Sequence, residues 1–215
     1  PYRFVKDATT TPSPSATSSR RRQGASFAGS ATTVEVRADR LSFPAGVGWH
    51  PWFRRDVTGA EHTHVRVDAP VRYALRHQTP TGRLLPVRRD HDLRDYPALG
   101  ERRLDDCYRC SDGAMRVRWG NLELWMESSA NVTHAVVYTP QHAVCVEPQT
   151  CATDAFNLDD ADAGAVIVEP GRPLVASTTW RWASAEPQWQ QIHPRAVDDE
   201  GDSPAMSPEA PGPSG

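Results

Sequence analysis

An all-β fold, with sheets packed as a sandwich or closed as a barrel, is what this sequence predicts. Three observations carry the prediction. Apolar residues recur at every second position along much of the chain, one pair of such runs is joined by two turn-forming residues, and Pro, Gly, Asp and Asn break the runs at intervals of roughly 8 to 12 residues. Helical spacing of apolar residues is hard to find anywhere, and no internal repeat is evident.

Taken in order, the strands expected are "HVRVDA" from His64, "VRYAL" from Val71, "MRVRW" and "LELWM" around residues 115–126, "HAVVYT" from His134, "AVCVEP" from Ala143, "AVIVEP" from Ala165 and "LVASTTWRW" from Leu174. The central pair is the clearest. Met115, Val117 and Trp119 alternate with arginines, Gly120-Asn121 makes the turn, and Leu122, Leu124 and Met126 resume the alternation, which predicts a hairpin with a two-residue loop. In the last strand Leu174, Ala176, Thr178, Trp180 and Trp182 share one face.

The totals set limits. A chain of 215 residues suits one domain with a single core. A net charge of -3 and a pI near 6.3 give no general electrostatic reason to bind nucleic acid or an anionic membrane. A small-molecule or protein partner is expected instead. No apolar run approaches the ~20 residues that span a bilayer, and the start lacks the order of a secretory signal, so a cytoplasmic location is expected.

Residues 1–30 are rich in Thr, Ser, Pro, Ala and Arg without apolar periodicity, and the basic knot Arg20, Arg21, Arg22 reads as part of a solvated linker. Residues 191–215 are acidic and rich in Pro and Ser. Neither segment has the apolar surface to offset its ordering entropy, so both are expected to be disordered, leaving a sandwich domain over 31–190. Four cysteines are too few for a disulfide scaffold. Cys107 and Cys110 form a CxxC, but five residues separate Cys145 from Cys151, outside the usual zinc-knuckle spacing, so free thiols and no metal are expected. The sequon at Asn131 has meaning only in a secreted chain.

A sheet with one buried face leaves the other for a site, because strand side chains project from it at fixed spacing. Three segments place polar groups in such surroundings: His50 in "GWHPWF", Asp105 and Asp106 in "RRLDDCY", and Glu147 in "AVCVEPQT". Glu147 follows the apolar run Ala143–Val146 and is stopped by Pro148. Desolvation there raises a carboxylate toward neutrality, where it serves as a general base. Singly, each has a plainer reading: His50 as a packing residue beside Trp49 and Trp52, the aspartates as a turn or loop cap, Glu147 as the partner of an arginine, and the tryptophans as core.

Jointly, these segments resemble a known family. "GWHPWF" is similar to the G-x-H-P-Y/W-F segment of the aldose 1-epimerases, or galactose mutarotases; "LDDCY" to their D-x-x-F/Y segment; and "VVYTPQHAVCVEPQTCATDAFNL" to their strand, turn and loop around C-x-E-P-Q-T. "VIVEPGRPLVASTTWRW" resembles the family's last hairpin. The likeness runs from about Thr33 to Trp182 in matching order and corresponds to the C-terminal two-thirds of a family member.

The resemblance implies a galactose mutarotase-like β-sandwich (supersandwich), N-terminally incomplete, that interconverts the α and β anomers of a free hexose. It implies His50 as the acid at the ring oxygen, Glu147 as the base at the anomeric hydroxyl, Asp105, in preference to Asp106, as a ligand of sugar hydroxyls, and Gln149 and Asn157 as polar neighbours. Trp52 or Phe53 would supply an apolar wall for the sugar face. His50 and Glu147 would face one cavity with room for a pyranose ring between them. No metal or organic cofactor is implied, and the arginine and second histidine that the family's N-terminal portion brings have no counterpart here. The same scaffold also suits a hexose-6-phosphate 1-epimerase, for which Arg54, Arg55, Arg88 and Arg89 are available, and a non-catalytic sugar-binding module or inactive fragment.

Overall fold

The computed structural model describes residues 25–57, 62–158 and 163–185. Their strands form three antiparallel sheets with open edges, so the sandwich and not the barrel is realised. The first sheet runs in the order β1 (Ala25–Val36), β13 (Leu174–Ala185), β9 (Leu122–Ser128), β8 (Met115–Trp119), β4 (Thr63–Val67). The second runs β3 (Phe53–Arg54), β11 (Ala143–Gln149), β10 (His134–Tyr138), β7 (Asp105–Arg109), β5 (Val71–Arg76), β6 (Thr79–Pro86). A two-stranded sheet pairs β2 (Phe43–Ala45) with β12 (Val166–Val168). No helix among the described residues is long and apolar enough to cross a membrane.

The period of two becomes burial directly. In β4 Thr63, Val65 and Val67 are buried, and in β8 Met115, Val117 and Trp119 are buried, while His64 and the arginines between them face outward. The predicted hairpin joins Trp119 to Leu122, and Gly120 takes the positive φ (56°) that the first position of such a turn asks for. Inner-face residues of the two large sheets then share one core, with Val65, Val117 and Leu124 from the first against Tyr108, Val137 and Val146 from the second. Strand β11 is buried on both faces: Val144 and Val146 point into this core, and by alternation Cys145 and Glu147 point the other way.

Part of the outer face of the six-stranded sheet is covered. After β11 the chain folds back over it, and Ala152, Ala155 and Ala163 pack on Tyr73 and Cys107. The remainder of that face, nearer β3, carries the polar groups considered below.

The sheet begins earlier than residue 31. Twelve consecutive pairs tie β1 to β13, from Ala25 opposite Ala185 to Val36 opposite Leu174, so Ala25–Ser30 belong to a strand. Small and β-branched residues are sufficient for such an edge, where backbone pairing more than side-chain bulk holds the strand. Residues 1–24 and 191–215, expected to be disordered, lie outside the described residues. All four cysteines are free.

Candidate functional site

The segment that carries His50 is zipped along β11. Gly48 bridges Gln149, the Trp49 N–H donates to the Pro148 carbonyl (3.0 Å), and Phe53 and Arg54 of β3 pair with Val144 and Ala143. One register runs through all of these, which sets His50 across from Glu147 and Trp52 across from Cys145. The segment is anchored from its other face. Phe53 turns into the core between Trp119 (5.7 Å between ring centroids) and Trp180 (5.9 Å), and the Trp119 indole N–H donates to the Arg54 carbonyl (2.9 Å). Just beyond, Val47 and Thr150 exchange two hydrogen bonds of 2.8 and 2.9 Å.

His50 Nδ1 lies 3.1 Å from Glu147 Oε1. The second carboxylate oxygen, Oε2, accepts from the Gln149 side-chain amide at 3.3 Å. The pair is asymmetric in its exposure: the Glu147 side chain is 7% exposed and that of His50 57%. Burial pushes the Glu147 carboxyl up to about 7; the Gln149 amide draws it down in part, and the negative charge of Asp105 raises it further. A carboxyl near 7 is half ionised at neutral pH, which suits a group that must both take and return a proton. The Nε2 of His50 makes no hydrogen bond among the described residues.

Pairing across β10 brings in the third strand. Tyr138 is opposite both Cys145 and Asp105, so Asp105, Tyr138, Cys145 and Glu147 all project from the outer face. The Asp105 carboxyl is itself pushed up, by desolvation first and by Asp106 second. Asp106 points the opposite way, into the interior, where it meets Arg72 (3.1 Å) and His91 (2.7 Å). Asp105 is therefore the member of the pair that shares a face with Glu147.

Trp52 is 55% exposed and lies almost parallel to two imidazoles, His50 (5.7 Å, 17°) and His142 (6.3 Å, 18°), with the Tyr138 ring edge-on at 5.8 Å. It braces the His50 ring as well as offering apolar surface. Tyr138 and His142 were not singled out in the sequence, and neither was Cys145. For Cys145 the signal was present: it stands two residues before Glu147 in a strand, which is the condition for sharing its face. A ring nitrogen of His50, Cys145 Sγ and a Glu147 carboxylate oxygen all lie within 4.8 Å of one another, a set of donors able to hold a metal ion.

Two expectations need correction. His50 and Glu147 touch, so no ring-sized gap separates them. The reason is structural: the register that pairs Gly48 with Gln149 and Phe53 with Val144 sets His50 directly across from Glu147. Asn157 is the second. It lies in the 3-10 turn Ala155–Asn157 and bonds Asp154, in a cleft of about 420 Å³ lined also by Arg76, Thr79, Pro80, Thr81 and Leu158. That cleft lies over β5 and β6, separated from β11 by β10 and β7, and has no lining residue in common with the His50–Glu147 pair. The loop after β11 carries Asn157 across the sheet to pack Ala155 and Leu158 over Tyr73 and Leu84. Arg54 and Arg55 are engaged elsewhere, the first with Asp56 (2.8 Å), the second with the carbonyls of Pro140 and Gly100.

The structure defines an open antiparallel β-sandwich with an imidazole–carboxylate pair on its outer face. The comparisons give that architecture its family: the model of the aldose 1-epimerase family matches residues 23–181, and the chain belongs to this family. Among solved structures it is similar to a putative aldose 1-epimerase from Escherichia coli K12 (TM-score 0.62, 16% identity, covering 72% of this chain and 56% of that one). It is also similar to a galactose mutarotase-like protein from Clostridium acetobutylicum (TM-score 0.63, 17% identity, 73% and 52% covered) and to an aldose epimerase homologue from C. elegans (TM-score 0.58, 15% identity, 73% and 56% covered). At these identities the likeness is one of fold. The chain spans little more than half the length of each.

Proposed function

We propose that this chain catalyses interconversion of the anomers of a free hexose. The observation that carries the proposal is the contact of His50 Nδ1 with Glu147 Oε1 at 3.1 Å on a face that also presents Asp105 and Trp52.

His50 donates a proton to the ring oxygen while Glu147 accepts the proton of the anomeric hydroxyl. The bond from the anomeric carbon to the ring oxygen breaks as the carbonyl forms, and the open chain turns about the next carbon–carbon bond. Reclosure on the other carbonyl face runs the same transfers backwards and yields the other anomer. No proton is gained or lost over the cycle, so each group returns to its starting form. Trp52, parallel to the imidazole, holds the ring of His50 in one plane. Gln149 fixes the carboxylate through Oε2, and Oε1, already facing His50, has a second lone pair for the hydroxyl. Asp105, beyond Tyr138 on the same face, is placed to accept from sugar hydroxyls. Cytoplasmic carbohydrate metabolism is the setting this chemistry suits.

Polarimetry of freshly dissolved α-glucose and α-galactose tests the proposal. The native chain should speed the approach to equilibrium, and His50→Ala and Glu147→Gln should each lose about 10²–10⁴-fold of the acceleration, the usual worth of a general acid or base. Sugar binding with no acceleration in the native chain would make it a binding module instead.

A further inference from the structure

We propose that His50, Cys145 and Glu147 form a binding site for a zinc-type divalent cation, and that its occupation shuts down the acid–base pair. The second half of this inference rests on the epimerase reading; the first does not.

The donor set is the first argument. Imidazole nitrogen, thiolate sulfur and carboxylate oxygen together suit zinc and its near relatives, whereas magnesium and calcium prefer oxygen alone. Cys145 is fully buried, and the acid–base reaction gives its sulfur nothing to do.

Geometry is the second. Zinc holds nitrogen and oxygen at about 2.0–2.2 Å, so two such ligands on a tetrahedral ion stand roughly 3.3 Å apart. His50 Nδ1 and Glu147 Oε1 are 3.1 Å apart already. The three donor atoms lie within 4.8 Å of one another, and a bound ion would draw the sulfur to roughly 3.5 Å from the other two. Cys145 and Glu147 are fixed by β11, one residue between them on the same face. His50 stands outside any strand with a side chain 57% exposed, so of the three it has most room to adjust toward the ion while stacked on Trp52. Three protein ligands leave a fourth position for water on that exposed side.

Binding is a substitution with no redox change. The Cys145 S–H bond breaks, the sulfur–metal bond forms, and the proton leaves to solvent. Any proton on Nδ1 or Oε1 leaves with it. Both groups then lend the ion the lone pairs that proton transfer to a sugar needs.

The test is titration of the full chain, first stripped with chelator, with Co²⁺ and then Zn²⁺. Expected are one ion per chain, a thiolate-to-cobalt charge-transfer band, and displacement of cobalt by zinc. Cys145→Ser should lose the band and bind at least about tenfold more weakly, while Cys107→Ser and Cys151→Ser keep it. Native-like affinity in Cys145→Ser, or cobalt binding with no thiolate band, would overturn the site. In the polarimetric assay, zinc should stop the native chain and chelator restore it. Turnover that continues at saturating zinc would overturn the shut-down while leaving the site intact. A native chain inactive even in chelator would sink the epimerase reading, and the band would still decide the cation site.

Discussion

Asp105 and Asp106, neighbours in the chain, leave β7 on opposite faces of the six-stranded sheet, one toward Glu147 and the other into the interior against Arg72 and His91. Their substitutions should therefore separate. Asp106→Ala leaves the Arg72 guanidinium, 19% exposed, without its buried anion and should cost about 2–4 kcal/mol in urea unfolding. Asp105→Asn relieves a carboxylate that burial and its neighbour already disfavour, so stability should stay within about 0.5 kcal/mol of native while sugar affinity falls. Equal destabilisation by the two would contradict the assignment of faces.

The sheet architecture was legible because most of its strands alternate cleanly, and the burial of Met115, Val117 and Trp119 reproduces the sequence pattern residue for residue. Strands that escaped lacked that pattern for identifiable reasons. β6 contains Pro80, Gly82 and Pro86 and is tolerated because it lies at a sheet edge. β1 is built from small residues, and β7 opens on two acids. Contacts between strands distant in sequence are another matter. His50 and Glu147 could be brought together only through family resemblance, since nothing local encodes the register of residues 48–54 on β11. Nothing local showed that Asn157 lies over β5 and β6, or that Tyr138 stands between Asp105 and Cys145.

The raised Glu147 carboxyl makes two pH predictions. Activity should rise with pH through about 7, as the base form becomes populated, when assayed in chelator. Stability should move the other way. Glutamate in an unfolded chain titrates at about 4.3, so between there and about 7 the folded chain holds a proton that the unfolded one has released, and stability falls as pH rises through that window. Glu147→Gln has no such proton to lose. Its stability relative to native should improve across the same window, by on the order of 1–3 kcal/mol, even as activity disappears. Parallel stability–pH curves for the two chains would contradict the desolvation of Glu147.

Two buried tryptophan N–H groups differ in a way that unfolding should report. The Trp119 indole donates to the Arg54 carbonyl at 2.9 Å, whereas that of Trp49, packed beside Ala45 and Val47, is buried with no partner among the described residues. Trp119→Phe removes both packing and a hydrogen bond and should cost about 2–4 kcal/mol. Trp49→Phe removes a donor that is already unsatisfied, so relief of that desolvation offsets lost contact and the net change should stay within about 1 kcal/mol. Thermal unfolding of the two variants should rank them in that order.

Gly164 tests whether the loop folded over the outer face is built to a single shape. Its φ is +83°, which side-chain-bearing residues rarely adopt, and a Cβ there would run into the Thr150 carbonyl and stand 3.2 Å from the His134 ring. His134 is itself fully buried, with its Nε2 3.3 Å from the Tyr73 hydroxyl, so it has no room to yield. Gly164→Ala should therefore cost about 2–3 kcal/mol, more than the ~1 kcal/mol of a backbone penalty alone. Because Thr150 also bonds Val47, the displacement should pass to the segment that carries His50. Hydrogen exchange should show faster exchange at the Thr150 and Trp49 amides in the variant while the amides of β8 and β9 stay protected. Uniformly faster exchange would mean that the loop is not a separate brace for the site.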